Sequence, residues 1–177
     1  MKDQTIWTIG HSTRSLEELV AMLHAFSITA LVDIRNYPGS KRYPQFNKES
    51  LEISLPASDI RYTHLKELGG RRRPVEDSLN TAWRNEAFRG YADYMQTNEF
   101  ITAIKTLGTI AEKERTAYMC SEAVWWSCHR ALVSDYLKSK GWTVMHIMDT
   151  AKATEHPYTK PAMIVDGNLC YHQPGLF

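Results

Sequence analysis

Thr116-Ala-Tyr-Met-Cys-Ser-Glu-Ala-Val-Trp-Trp-Ser-Cys-His-Arg130 reads as a buried strand that runs into a polar turn and then opens a helix. Cys120 and Glu122 fall where the strand ends, and Cys128, His129 and Arg130 fall where the helix begins. Two thiols, a carboxylate, an imidazole and a guanidinium therefore share eleven residues. Open α/β sheets place ligands at the ends of parallel strands, beside the starts of the following helices. Helix N-termini add unpaired N–H groups and a partial positive charge that attract anions. This stretch is expected to hold the active or binding site.

Working upstream, Thr5 to Ile9 is a β-branched and aromatic run closed by Gly10, which predicts a first strand. Ser15 and Glu18 have capping-box spacing, and Leu16, Leu19, Val20 and Leu23 recur at the helical period, predicting a helix from Ser15 to about Phe26. Ile28 to Ile34 is the second strand, so the segment is a βαβ unit with parallel pairing. A loop fixed by Pro38 and Pro44 follows, then a short helix capped by Asn47 and stopped at Pro56, and a third strand from Ile60 to Leu65. Lys66 to Pro74 reads as a flexible basic loop, and two helices are expected between Thr81 and Glu114 with Asn98 as a cap.

Downstream of the opening stretch, Leu132, Val133, Tyr136 and Leu137 give a helix its core face and Gly141 ends it. Trp142 to Ile147 is the fifth strand, Met148 to Pro161 a polar loop, and Ala162 to Tyr171 a hairpin turning at Asp166-Gly167. The expected fold class is α/β: a Rossmann-like or flavodoxin-like open, mainly parallel sheet flanked by helices, with a C-terminal β-hairpin, as a single domain over residues 1–177. In the simplest version the first and fourth strands lie side by side. Gly10, His11 and Ser12, then Asp33 and Arg35, then Cys120, Ser121 and Glu122 would end three strands on one edge. A bland core does not need reactive residues at three strand ends.

Composition bounds the function classes. The chain has 43% hydrophobic and 23% charged residues, an ordinary globular balance, and a formal net charge of +1. No global field advertises a nucleic acid or a membrane surface, although a local basic patch stays open. Three cysteines in no framework spacing favour free thiols and a reducing compartment. With no signal-like or membrane-length apolar run, a soluble, cytoplasmic protein is expected.

Thr8-Ile-Gly-His-Ser-Thr-Arg-Ser15, Val32-Asp-Ile-Arg35 with Pro38 and Ser40, Pro44-Gln-Phe-Asn47, His64-Leu-Lys-Glu-Leu-Gly-Gly70 and the Cys120-x-Glu122…Cys128-His-Arg130 signature together resemble the domain of unknown function 488 family. The resemblance covers nearly the whole chain. It implies an α/β fold and no particular activity. The matching positions are His11, Ser12, Asp33, Arg35, Cys120, Glu122, Cys128, His129 and Arg130.

Cys120 is the candidate nucleophile, since a thiol near a helix N-terminus and arginines ionises more readily; the bland alternative is a buried small hydrophobe. A phosphatase-like or rhodanese-like loop would need an arginine six residues after it, where Trp126 stands. His11 is a candidate general base and Glu122 a third catalytic group. Arg130, with Arg35, Lys41 and Arg42, suits an anion, the alternative being ion pairs of Arg130 or Arg35 with Asp33 or Glu122. Ser12, Asp33, Cys128 and His129 complete the substrate-binding set. Arg71-Arg-Arg73 reads as a solvated loop, and His24 and His146 as structural.

The two cysteines lie farther apart than a structural zinc knuckle, and the Gly10-His-Ser12 turn lacks the further glycines of a dinucleotide fingerprint, so no metal or cofactor is assigned. Three readings stay open: an enzyme acting on an anionic, phosphorylated or nucleotide-like substrate, a nucleotide or nucleic-acid binding module, and a zinc protein. A small anionic ligand is the expected partner and no membrane is.

Overall fold

The computed structural model describes residues 4–173. Its centre is a six-stranded sheet in the order β3-β2-β4-β1-β5-β6. The strands are β1 (Thr5–Gly10), β2 (Ala30–Asp33), β3 (Arg61–His64), β4 (Thr116–Cys120), β5 (Thr143–Ile147) and β6 (Ala153–Glu155). All neighbours pair in parallel except β6, which runs antiparallel to β5. Among the described residues five α-helices cover the sheet: α1 (Leu16–Ala25), α2 (Lys48–Ser54), α3 (Glu86–Tyr94), α4 (Asn98–Lys113) and α5 (Arg130–Ser139). A separate hairpin, β7 (Met163–Val165) and β8 (Asn168–Cys170), turns through Asp166 and Gly167, both at positive φ. The expected open, mainly parallel α/β sheet with a terminal hairpin is therefore present. β4 lies between β2 and β1, so β1 and β4 are neighbours, with Gly10 opposite Cys120.

Period-two alternation sorts the strand side chains between two cores. Trp7, Ile9, Leu31, Ala117 and Met119 pack with Leu19, Leu23 and Leu51 of α1 and α2. Ile6, Val32, Tyr118 and Val144 pack on the other face with Tyr91, Phe100, Ile104 and Leu132 of α3, α4 and α5. The same alternation turns Thr8, Cys120 and His146 toward the α5 side. Three polar groups thus enter an otherwise apolar layer beneath the start of one helix.

Helix ends follow the sequence with two exceptions. Ser15 caps α1 by accepting from the Glu18 N–H at 3.1 Å, a bond worth about 1 kcal/mol. Asn47 stands at the start of α2, but its side chain accepts from Ser40 N–H at 2.6 Å, tying down the preceding loop instead. Thr97, not Asn98, caps α4 through the Phe100 N–H.

Two loops differ from expectation. The polar stretch after β5 contains β6, a strand too short and too polar to show an alternating pattern. The basic loop after β3 is pinned: Leu68 is fully buried, Tyr91 Oη donates to its carbonyl at 2.7 Å, and the Arg72 guanidinium lies 3.7 Å from the Tyr94 ring centre. Among the described residues no helix is long and apolar enough to cross a membrane.

Candidate active site

The ends of β1, β2 and β4 open into a cavity of about 470 Å³ beside the start of α5. Of the residues expected there, His11, Arg35, Cys120, Glu122, Cys128 and His129 line it. The β1–β4 ladder continues past the strands: His11 N–H donates to Cys120 C=O at 3.1 Å and Ser12 N–H to Ser121 C=O at 2.9 Å. Convergence of these two strand ends is thus a backbone fact. Ser12 itself stands at φ 49°, a left-handed conformation that costs a serine roughly 1 kcal/mol.

The cavity floor holds two sulfurs. Cys120 Sγ and Cys128 Sγ are 2.8 Å apart, both buried, with Cys128 the less covered. Behind them lies Arg130, only 1% exposed. Its Nε–H points at Cys128 Sγ (3.5 Å), one terminal nitrogen donates to Thr8 Oγ1 (3.1 Å), and the other donates to the Glu122 and Ala123 carbonyls (2.7 and 3.4 Å). Among the described residues no carboxylate pairs with it. An enclosed cation costs several kcal/mol unless compensated. Carbonyl dipoles and a hydroxyl supply part of that, and the group able to supply a full negative charge is the adjacent sulfur.

The two thiols are therefore unlike. Burial opposes the Cys128 thiolate, but the Cys120 S–H donor, the Arg130 charge and the Arg130 N–H groups outweigh it and bring Cys128 down to about 6. Burial and donation to Cys128 push Cys120 well up. Of the two, Cys128 has the surroundings that favour a thiolate, whereas those of Cys120, the expected nucleophile, oppose it. The geometric difference is that the Arg130 Nε–H meets Cys128 Sγ at 3.5 Å, while Cys120 Sγ lies against the Glu122 carbonyl at 3.8 Å.

Arg130 also begins a polar chain through the core. A guanidinium only donates, so Thr8 Oγ1 accepts from it, and the same hydroxyl meets His146 Nδ1 at 2.6 Å. His146 Nε2 meets His156 Nδ1 at 2.9 Å, and His156 donates through Nε2 to Asp135 Oδ1 at 2.8 Å. Asp135 also accepts from Thr159 N–H and Oγ1 and from Tyr171 Oη, which ties the segment after β6 and the chain beyond β8 to α5. Burial holds His146 down to about 2. Trp125 stacks on His146 at 4.7 Å and roofs the chain. His146 is thus a link to the site rather than an isolated core residue. Asp135 falls three residues after Leu132 on the apolar face of α5, and a carboxylate there was the signal that could have revealed the network.

Other expected residues take supporting places. His11 donates through Nδ1 to Ser12 C=O (2.9 Å), and its Nε2 accepts from Arg35 (3.2 Å), so it has no free lone pair; burial holds it at about 4. In this arrangement the acceptor nitrogen of His11 is taken by Arg35. Asp33 is fully buried, binds Arg35 through both oxygens (2.8 and 2.6 Å) and accepts from Tyr62 Oη (2.6 Å). It fixes Arg35 at the wall. His129 donates through Nε2 to Ile34 C=O at 3.0 Å, which leaves Nδ1 as an acceptor. Ser12, Asp33, Arg42 and Arg130 do not line the cavity; Arg42 lies over the Tyr43 ring. Arg71, read as a solvated loop residue, does line it, with Tyr37, Phe88 and Tyr91.

Gly10 is required by close approach. A Cβ there would sit 1.6 Å from the Glu122 carbonyl oxygen that accepts from Arg130. Among the described residues no group of three or more His, Cys, Asp or Glu side chains is arranged to hold a metal ion.

Residues 15–137 match a family described as domain of unknown function DUF488. The match spans α1 through most of α5 and includes the cysteine pair and Arg130. No curated protein and no solved structure matches the chain.

Proposed function

The chain belongs to the domain of unknown function DUF488 family, and because that description assigns no reaction, we propose from the site itself that it is a cysteine-dependent enzyme acting on a small anionic substrate. The observation that carries this reading is an enclosed Arg130 whose nearest group able to become anionic is a sulfur at the floor of a cavity. A thiolate there is available at neutral pH, and the thiolate is the nucleophilic form of cysteine.

In this reading Cys128 attacks the substrate. Cys120 holds a proton against it and is the nearest donor once the thiolate is consumed. Arg71, and the outer edge of Arg35 positioned by Asp33 and His11, provide positive charge for a phosphate or carboxylate. Phe88 and Tyr91 offer apolar wall to the substrate's body, which accommodates a nucleotide-like ligand. Glu122 and the free His129 Nδ1 are the acceptors that can take a substrate proton. Arg130 acts as a positioning residue for the sulfur rather than as the substrate's anion site.

The test compares iodoacetate with iodoacetamide at each cysteine, with rates normalised to those of free cysteine. Cys128 should react faster with the anionic reagent by several-fold, and Arg71→Ala should remove that preference while leaving the iodoacetamide rate unchanged. Equal normalised rates would reject the anionic substrate, and a Cys128 that reacts no faster than Cys170 would reject the nucleophile.

A further inference from the structure

We propose that Cys120 and Cys128 act together as a dithiol that reduces small anionic disulfides, closing an intramolecular disulfide at the cavity floor. This rests on Cys128 as the nucleophile and adds the class of substrate and the role of the second sulfur.

The argument begins with distance. The sulfurs are 2.8 Å apart, and a disulfide needs about 2.0 Å. The pair joins the end of β4 to the residues leading into α5 across seven residues, so the link closes a short loop. A short loop gains the least from cross-linking the unfolded chain. The apolar cores on both faces of the sheet are built without it. Such a bond suits a reversible redox step better than a structural staple.

The roles are asymmetric in the way exchange requires. Both line the cavity, but Cys128 is the more exposed, at 8%, and has Arg130 behind it, while Cys120 lies 2% exposed against Cys128 and the Glu122 carbonyl. Attack by the Cys128 thiolate on R–S–S–R forms the bond from Cys128 Sγ to one substrate sulfur and expels RS⁻. The Arg130 charge then has no thiolate beside it and favours ionisation of Cys120, whose proton leaves with the expelled thiolate as RSH. Cys120 attacks Cys128 Sγ, breaks the mixed disulfide and releases a second RS⁻. One disulfide is reduced to two thiol equivalents, and the dithiol becomes a disulfide. Excess small thiol reverses both steps and restores the reduced pair. Arg71 and Arg35 at the cavity wall select substrates carrying carboxylates.

The experiment treats the full chain with dithiodipropionate or cystamine, disulfides of similar size and opposite charge, with rates normalised to those of a free thiol. Intact mass should fall by two hydrogens with no adduct retained, and the normalised rate should be about tenfold higher for dithiodipropionate. Cys120→Ser should stop at an adduct on Cys128, and Cys128→Ser should be inert, both with melting temperatures near that of the parent. A parent protein that keeps the mixed adduct would overturn the dithiol cycle while leaving Cys128 as a nucleophile. A Cys128 alkylated by iodoacetamide but untouched by either disulfide would overturn the cycle as well. A Cys128 inert to all reagents would remove both readings, and a faster reaction with cystamine would overturn the anionic preference.

Discussion

Arg130 Nε lies 3.5 Å from Cys128 Sγ, and this contact joins the cavity to the interior of the protein. On one side of it are two sulfurs and a space for a ligand. On the other, a hydrogen-bond chain runs from the guanidinium to the buried carboxylate of Asp135. Thr8, His146 and His156 stand between the two ends, so Arg130 and Asp135 do not pair directly. Arg130 keeps its charge facing the sulfur.

Replacing Arg130 with methionine removes the buried charge and keeps most of the side-chain volume. The pH midpoint for Cys128 alkylation should move from near 6 to about 8 or above. The rate near neutrality should fall by less than the thiolate fraction does, because a more basic thiolate is the better nucleophile. A midpoint that stays near 6 would show that Cys120 alone lowers Cys128.

Asp135→Asn replaces an acceptor of four hydrogen bonds with a group that must present two of its own donors. Urea unfolding should show a loss of about 3 kcal/mol, and the Cys128 midpoint should change as the chain behind Arg130 loosens. Unchanged stability would mean that the chain from Thr8 to Asp135 is not a connected unit. A lower stability with an unmoved midpoint would confine Asp135 to holding the segments after β6 and β8 in place.

Acid should unfold the protein early. His11 and His146 are buried and neutral, with folded values of about 4 and about 2 against an ordinary 6.5. A group of this kind binds its proton in the unfolded chain first, so stability is full above about 6.5 and falls as pH drops toward the folded values. Each contributes about 1.4 kcal/mol per pH unit within that window. Urea midpoints measured at pH 7 and pH 5 should therefore differ strongly, and a flat profile would contradict neutral buried imidazoles. His146→Gln should flatten part of the slope.

The strands at the heart of the sheet were legible because local pattern and tertiary need agree in them. β1 and β4 are β-branched or apolar runs ending in Gly10 and Cys120, and those ends face each other across one ladder. The Ser15 cap and the Asp166-Gly167 turn were legible for the same reason, since each is decided within four residues. β6 was not, because Ala153-Thr-Glu155 carries no apolar alternation and becomes a strand by pairing with the edge of β5. The residues gathered at the cavity could be foreseen from strand ends, but their roles could not. Which sulfur is the thiolate depends on a contact between residues on different elements. His146, His156 and Asp135 come from a strand, a loop and a helix, and only packing brings them into line. Arg130 carries the charge expected of an anion site, and burial directs that charge to a sulfur.

The most direct test of the central claim is the pH dependence of iodoacetamide alkylation, read separately at Cys120, Cys128 and Cys170 by mass spectrometry of the folded protein. Cys128 should titrate with a midpoint near 6, below the roughly 8.5 of free cysteine, and Cys120 should stay unmodified across the range in which Cys128 reacts. Fast reaction at Cys120 with Cys128 protected, or a Cys128 midpoint at or above that of free cysteine, would contradict a thiolate held at Cys128 by Arg130.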